Sequence, residues 1–431
     1  MSSVKTFHKG AFKLETGDNA WGSSMQDITG DVAIPFLSLG KDKQIDKKSD
    51  NSIDSLAFKD IPRKVGETVE NDLTMNARII GLNHLLYWAF GFENEIISVV
   101  VFKVDSSTGS IEKGDVYLDE SLNSLTFYRR EDNSNGTYLV FKASDYDGTD
   151  LSRDTGTGPE TIDSINNSGI MYEHYFELDR NERHLTDYRL SEQIDGYSSD
   201  MKKNRRANIG IALGPNDLVY PQAMCNSFGF KSSSANFAEY SFSFLAYNQN
   251  KGDYNSSSWD YAEGMQDNDD VIAHHQMEIA LGPDSGSLVK LGVTTVDLGV
   301  EIPLQAQQDT LSGLYIAEPL MEGKYDIKCG ITLSRYSSDI YQQYRDHWNS
   351  VVAKISSFSG YLRNDFFVQS AKISEAGPDD SDVSQEPLTL EVGAVDSNNW
   401  DSDIDGSNLI QKSPLVLMVR DYDSTNSMLN S

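Results

Sequence analysis

The densest cluster of chemistry-bearing side chains lies in NNWDSDIDGSNLIQK, where Asp401, Asp403 and Asp405 alternate and Gly406 follows. Hard carboxylate oxygens at alternate places, with glycine next to make the sharp turn, form the pattern of a calcium loop. The place where such a loop takes a bidentate glutamate holds Lys412. Two readings therefore stand, a calcium site on Asp401, Asp403 and Asp405 or a solvated acidic turn, and Lys412 favours the turn. DYDGTD, Asp145 to Asp150, is a fainter version of the same pattern.

Other catalytic signatures are missing from the sequence. It has no G-x-S-x-G elbow, no H-E-x-x-H, no phosphate-cradling glycine loop with lysine, and no dinucleotide fingerprint after a strand. His274-His275 is the one histidine pair. On a strand, adjacent side chains point to opposite faces, so the pair is a poor chelator and reads as packed or surface imidazoles. Carboxylate pairs abound, but the composition alone produces them. The expectation is that the protein is not an enzyme and needs no cofactor, calcium apart.

The elements that would position these residues are mostly strands. Period-two alternation recurs at Leu73/Met75/Ala77/Ile79, Ile170/Tyr172/His174/Phe176/Leu178, Tyr240/Phe242/Phe244/Ala246, Tyr325/Ile327/Cys329/Ile331/Leu333 and Leu388/Leu390/Val392/Ala394. IISVVVF, Ile96 to Phe102, predicts a strand covered on both faces. SLTFYRREDNSNGTYLVFKAS predicts a hairpin turning near Asn135-Gly136. Two helices are expected. One carries Leu82, Leu85, Leu86, Ala89 and Phe90 and ends near Gly91; the other starts at Ser337 or Ser338 and runs to about Phe358 with Ile340, Tyr344, Trp348, Val351 and Ile355 as its stripe.

The chain has 431 residues and a formal charge of −30, spread along its length. Such a surface repels phosphate backbones and anionic membranes, which disfavours DNA-binding and membrane-binding functions. Cys225 and Cys329 both fall inside alternating apolar patterns and read as buried free thiols. MSSVKTFHKGAFKLETGD lacks the apolar core of a leader, and no run approaches the ~18 residues of a membrane span. Folding in a cytoplasm is expected.

Gly-, Ser- and Asn-rich joints at about 148–168, 248–270 and 376–386 suggest a principal boundary near residue 255. The word IALGP occurs at Ile211–Pro215 and Ile279–Pro283, yet the two copies fall at inequivalent places. More telling is an order of elements that occurs twice. Val32-Ala33-Ile34-Pro35-Phe36 matches Val300-Glu301-Ile302-Pro303-Leu304, each followed by a long polar loop, an alternating strand and a predicted helix.

These features carry a resemblance. DIPRKVGETVENDLTMNARIIGLNHLLYWAFGFE and AMCNSFGFKSSSANFAEYSFSFLAY are similar in pattern to the tail tube proteins of tailed viruses. EIPLQAQ, KYDIKCGITLSRY and EPLTLEVGAV resemble a second tube domain, so the likeness spans about residues 10–396. The resemblance implies a mainly β fold of two β-sandwich domains, each flanked by an α-helix, whose sheets join on oligomerisation into a ring-shaped β-barrel. It implies residues 1–254 as tube domain 1 with an insert at about 105–168, 255–396 as tube domain 2, and 397–431 as a C-terminal extension. The implied function is a major tail tube subunit, found in the virion tail and assembled in the host cytoplasm. Its partners would be itself, in homotrimeric rings of pseudo-sixfold symmetry, a tape measure protein, tail terminator and baseplate proteins, and viral DNA passing without sequence-specific contact. Loops at about 40–62 and 306–323 would reach the next ring. Alternatives are another β-rich virion component, such as a baseplate or fibre-attachment protein using 397–431 as its binding module, or a calcium-dependent carbohydrate-binding β-sandwich.

Overall fold

The computed structural model describes residues 9–15, 21–22, 28, 32–39, 44–48, 63–104, 116–117, 129–133, 136–142, 151–154, 159–162, 170–178, 206–212, 217–252, 259–261, 271–284, 287–305, 315–316, 318–321, 324–334, 351–376, 386–393 and 413–422. In chain order the first half contains β1 (Lys9–Leu14), β2 (Val32–Pro35), β3 (Ser38–Leu39), β4 (Gln44–Lys48), β5 (Arg63–Asn76), α1 (Asn83–Phe90) and β6 (Gly91–Val104). Five short strands follow, β7 (Val116–Tyr117), β8 (Arg129–Asn133), β9 (Gly136–Lys142), β10 (Leu151–Asp154) and β11 (Pro159–Ile162), and then β12 (Ile170–Leu178), β13 (Arg206–Ala212), β14 (Asp217–Ser233), β15 (Glu239–Ala246), β16 (Asn250–Gly252) and β17 (Asp260–Tyr261). The second half contains β18 (Met277–Gly282), β19 (Val289–Leu291), β20 (Val293–Glu301), β21 (Leu304–Gln305), β22 (Leu320–Met321), β23 (Asp326–Leu333), β24 (Val351–Ser359), β25 (Leu362–Ala376), β26 (Glu386–Val392) and β27 (Leu415–Asp421).

The fold is mainly β. Among the described residues, 22 strands hydrogen-bond into one branched and almost wholly antiparallel sheet. The expected alternation holds on β23, where Ile327, Cys329, Ile331 and Leu333 are buried and Asp326 and Lys328 exposed. In the IISVVVF run, Ile97, Val99, Val100 and Val101 are all buried, as a strand covered on both faces requires. The hairpin comes out as β8 paired with β9, with Asn133 opposite Gly136.

The core is the space between two layers. Phe366 of β25 meets Phe230 and Phe228 of β14 at 4.9 and 6.1 Å, and Tyr240 of β15 bonds Asn364 of β25. Helix α1 lies between the layers, buried from Leu85 to Phe90. Its Trp88 stands 5.5 Å from Phe12 and 6.2 Å from Phe244, and its Nε1–H donates to the Ala223 carbonyl at 3.0 Å. Buried tryptophan needs such a partner for its one donor. The helix ends where Gly91 turns left-handed, φ 89°, and donates its N–H to the Tyr87 carbonyl.

The second expected helix is corrected in the part that is described. Val351 to Phe358 belong to β24, hydrogen-bonded to β18 on one edge and β25 on the other. Val351 and Ile355 fit a spacing of four, yet they also fit a spacing of two through Ala353. Val-Val-Ala-Lys-Ile-Ser-Ser-Phe is rich in residues that favour a covered strand, and all but Lys354 are buried. Ile340, Tyr344 and Trp348 lie outside the described residues. Among those described, α1 is the sole α-helix.

Within the segment 397–431, expected as an extension, residues 415–421 form strand β27. β27 is buried along its whole length and pairs with β12 and with β25. Leu-Val-Leu-Met-Val reads as a strand covered on both faces, and its backbone groups find partners only inside the sheet.

A pairing pattern recurs between the two halves. β13–β14 slips register between Ala207 and Ile209, and β24–β25 slips between Val351 and Ala353. Further along, β14–β15 slips between Cys225 and Ser227, and β25–β26 between Ile373 and Glu375. Two bulges at matching positions pin the correspondence of these strands residue by residue. It extends outward because Phe244 faces Asn71 of β5 as Leu390 faces Cys329 of β23. Leu39 opposite Leu73 therefore stands where Val296 stands opposite Ile331. This differs from the sequence match of Val32–Phe36 with Val300–Leu304.

Candidate functional face

Six strands in the order β5–β15–β14–β20–β23–β26 form a continuous antiparallel wall through both halves of the chain. The halves meet where β14 pairs with β20, Ser227 opposite Glu301 through Ser233 opposite Thr295. Alternation sends Phe228, Phe230, Phe242, Leu298, Cys329 and Leu390 inward. The other face is open and polar.

On that face side chains form rows across the strands. One row runs Asp72, Ser243, Ser227, Glu301, Asp326; the next Thr74, Ser241, Gly229, Gly299, Lys328, Glu391; the next Asn76, Glu239, Lys231, Asp297, Gly330, Thr389. Between the charges the wall is flat. Gly229 and Gly299 face each other, and a Cβ built on Gly299 meets nothing within 4 Å. No aromatic or large aliphatic side chain rises from these rows.

Carboxylates outnumber ammonium groups on the wall, and the ammonium groups are engaged locally. Lys328 Nζ bonds Asp326 Oδ2 at 2.7 Å, and Lys231 Nζ lies 3.8 Å from Asp297 Oδ2. The hydrogen bond and charge of Asp326, with smaller help from Glu301 and Glu391, hold the Lys328 ammonium above the usual lysine range. These exposed pairs add little stability. Their effect is that neither lysine of these three rows stands as a free cation of the kind that grips phosphate.

The sequence-predicted sites fare unequally. Asp401, Asp403 and Asp405, and Asp145 to Asp150, lie outside the described residues. Among the described residues no group of three or more potential metal ligands gathers. His274 and His275 sit in a 3-10 turn, His274–Gln276, rather than on a strand. Nδ1 of His274 bonds Ser232 Oγ at 2.9 Å and Nε2 bonds the Val293 carbonyl at 3.1 Å, so this ring packs the joint between β14 and β20. Cys225 and Cys329 are buried free thiols, as expected. Burial, and secondarily the Asp297 charge, push the Cys329 thiol up to about 12. Native protein at pH 8 is therefore expected to resist thiol reagents at Cys329 until it unfolds, as checked by mass after a timed maleimide pulse.

The sequence reading missed the wall itself and a latch at its end. The wall's signal is present in the outward positions of the alternating strands, which carry Gly, Ser, Thr and acids. The latch joins the return limb of the second long loop to the first half. Trp21 Nε1–H donates to the Ile316 carbonyl at 2.9 Å, Arg206 bonds Glu318 at 2.8 Å, and the Tyr247 and Tyr315 rings pack in a tilted pair at 4.9 Å. Beneath it Gln222, held at φ 54°, donates through Nε2 to Glu15 and accepts from Gly22 N–H. Residues so distant in sequence give no local signal.

A scan against protein-family models and a search of characterised proteins returned no match.

Proposed function

We propose that this chain is a structural subunit of a viral tail tube, and that the flat acidic wall faces the lumen through which DNA passes. The observation that carries the reading is the wall: one uninterrupted sheet across both halves, apolar on its covered side and acidic and smooth on its open side. A duplex carries one negative charge per ~1.7 Å of its axis, and each cationic contact adds counterion-release affinity. Rows whose two lysines, Lys231 and Lys328, are already engaged by carboxylates let such a polymer slide without adhering.

Closure into rings accords with the sheet edges that stay unpaired among the described residues, because unpaired edge strands are a liability that a ring removes. In this reading three copies place six wall units around the lumen, a tape measure protein occupies it during assembly in the host cytoplasm, and terminator and baseplate proteins cap the ends. The buried position of β27 weighs against 397–431 as a detachable binding module, because residues 415–421 are part of the core. Burial of Tyr240, Phe242 and Phe244 removes the aromatic stripe that a glycan would stack on.

The test is negative-stain microscopy of concentrated protein over a range of salt. Tubes or stacked rings with a central channel are the expected result. Monodisperse single subunits at every concentration, with or without a tape measure protein, would overturn the reading.

A further inference from the structure

Strand β27 leaves the sheet at a pair of tyrosines. The β25–β27 ladder runs from Val368 opposite Leu415 to Arg363 opposite Arg420, and the same register carried two places on sets Tyr361 against Tyr422. Tyr361 stands in the turn that joins β24 to β25, directly after Gly360, whose φ of 64° is left-handed. The two tyrosines are 61 apart in sequence, yet the Tyr422 O–H donates to the Tyr361 hydroxyl, and the rings meet edge to face with centroids 6.0 Å apart. Burial first, then the bond and charge of Tyr361, hold the Tyr422 phenol above the usual tyrosine range, so it keeps its proton at neutral pH. Tyr422 is nevertheless 42 % exposed and open to a small oxidant in solution.

We propose that Tyr361 and Tyr422 are a site of oxidative cross-linking, where a one-electron oxidant fed by hydrogen peroxide joins the two rings and fastens β27 to the β24–β25 hairpin. Each phenol gives up one electron and one proton and becomes a phenoxyl, whose unpaired electron is shared between the oxygen and the ring carbons ortho to it. Two ortho carbons, one from each ring, combine in a new C–C bond. Each then shifts its hydrogen to the ring oxygen, and both phenols are restored. Peroxide takes the two electrons and two protons and leaves as two molecules of water. Because the hydroxyls touch, the ortho carbons are among the nearest atoms of the two rings, and a turn of the exposed Tyr422 side chain closes them. The link closes a long loop through two buried strands, which stabilises the fold by limiting the unfolded chain. It also pins the end of the ladder in which Arg363 and Arg420 lie two places further in on the same face. The pairing is independent of the tube reading.

The test treats the full chain, at several concentrations, with a haem peroxidase and hydrogen peroxide, and reads dityrosine fluorescence, intact mass and a peptide map. The expected product is a single chain lighter by two hydrogens, with the peptides that hold Tyr361 and Tyr422 joined, in a yield independent of protein concentration. Tyr361→Phe and Tyr422→Phe should each lose the link while keeping the wild-type circular dichroism spectrum, and wild-type protein unfolded in urea should lose it too. Tyr247 and Tyr315, whose tilted rings lie 4.9 Å apart, are the internal comparison, because they show whether ring proximity alone suffices. The linked chain should unfold at a higher urea midpoint than the unlinked one. Oxidation that leaves 361 and 422 unjoined, or that joins 247 to 315 in equal or greater yield, overturns the site. A link that leaves the midpoint unmoved overturns its role as a fastener.

Discussion

Replacing Arg420 with alanine is expected to cost about 3–5 kcal/mol of stability, the loss typical of breaking a buried ion pair from one side. Arg420 and Glu173 are directly opposite on β27 and β12, with relative exposures of 1 % and 0 %. Two of the guanidinium nitrogens reach the same carboxylate oxygen, Nε at 2.8 Å and Nη2 at 2.6 Å, and Tyr175 O–H donates to the other oxygen at 3.1 Å. Beside them Arg363, opposite Arg420 on β25, is held by Asp365 at 2.7 Å, and Lys354 reaches the same carboxylate at 3.1 Å. Loss of Arg420 leaves the Glu173 charge in a site from which water is excluded. The double variant Glu173→Leu/Arg420→Met is expected to recover most of the loss, because apolar side chains of similar volume need no solvation. Urea unfolding of the wild type, both single variants and the double variant checks this. A single-variant cost below about 1 kcal/mol would mean that the pair is solvated.

That ladder marks the boundary of what the sequence makes legible. Alternation on β5, β15, β23 and β26 is local and strong, because each has one covered and one open face. The wall could therefore have been found by reading the outward positions as carefully as the inward ones. β24 escaped because Val351 and Ile355 satisfy two periods, and hydrogen bonds to β18 and β25 decide between them. β27 escaped because an acidic Asn- and Ser-rich stretch precedes it, although LVLMV is an apolar run with no polar alternate. The match of Val32–Phe36 with Val300–Leu304 rested on letters, whereas the true correspondence of Ser38–Leu39 with Thr295–Val296 is set by backbone bulges that many side chains satisfy. Glu173 and Arg420, like Trp21 and Ile316, meet only because the chain returns from far away, and composition carries no trace of that.

Reversing charge on the wall is expected to convert a non-adhering surface into a DNA-binding one. Glu301 and Asp326 face each other in one row on β20 and β23, Asp297 lies two rows along on β20, and all three are exposed. Changing all three to lysine leaves the covered face untouched, so stability should shift by no more than about 0.5 kcal/mol per site. The substitutions also release Lys231 and Lys328 from their carboxylates, at 3.8 and 2.7 Å, so each copy gains a cluster of free cations. The chain as a whole stays strongly acidic, which makes the experiment discriminating: only the local field of the wall changes. Wild-type protein should show no duplex binding at physiological salt. The triple variant should bind in the non-specific range, roughly 10⁻⁴ to 10⁻⁶ M, with log affinity falling against log salt by about 0.9 for every phosphate neutralised. Fluorescence anisotropy of a labelled duplex across a salt series reads both quantities. Equal binding by wild type and variant would remove the reason for an acidic wall. A folded variant that ignores DNA even at low salt would mean that this face does not meet the duplex.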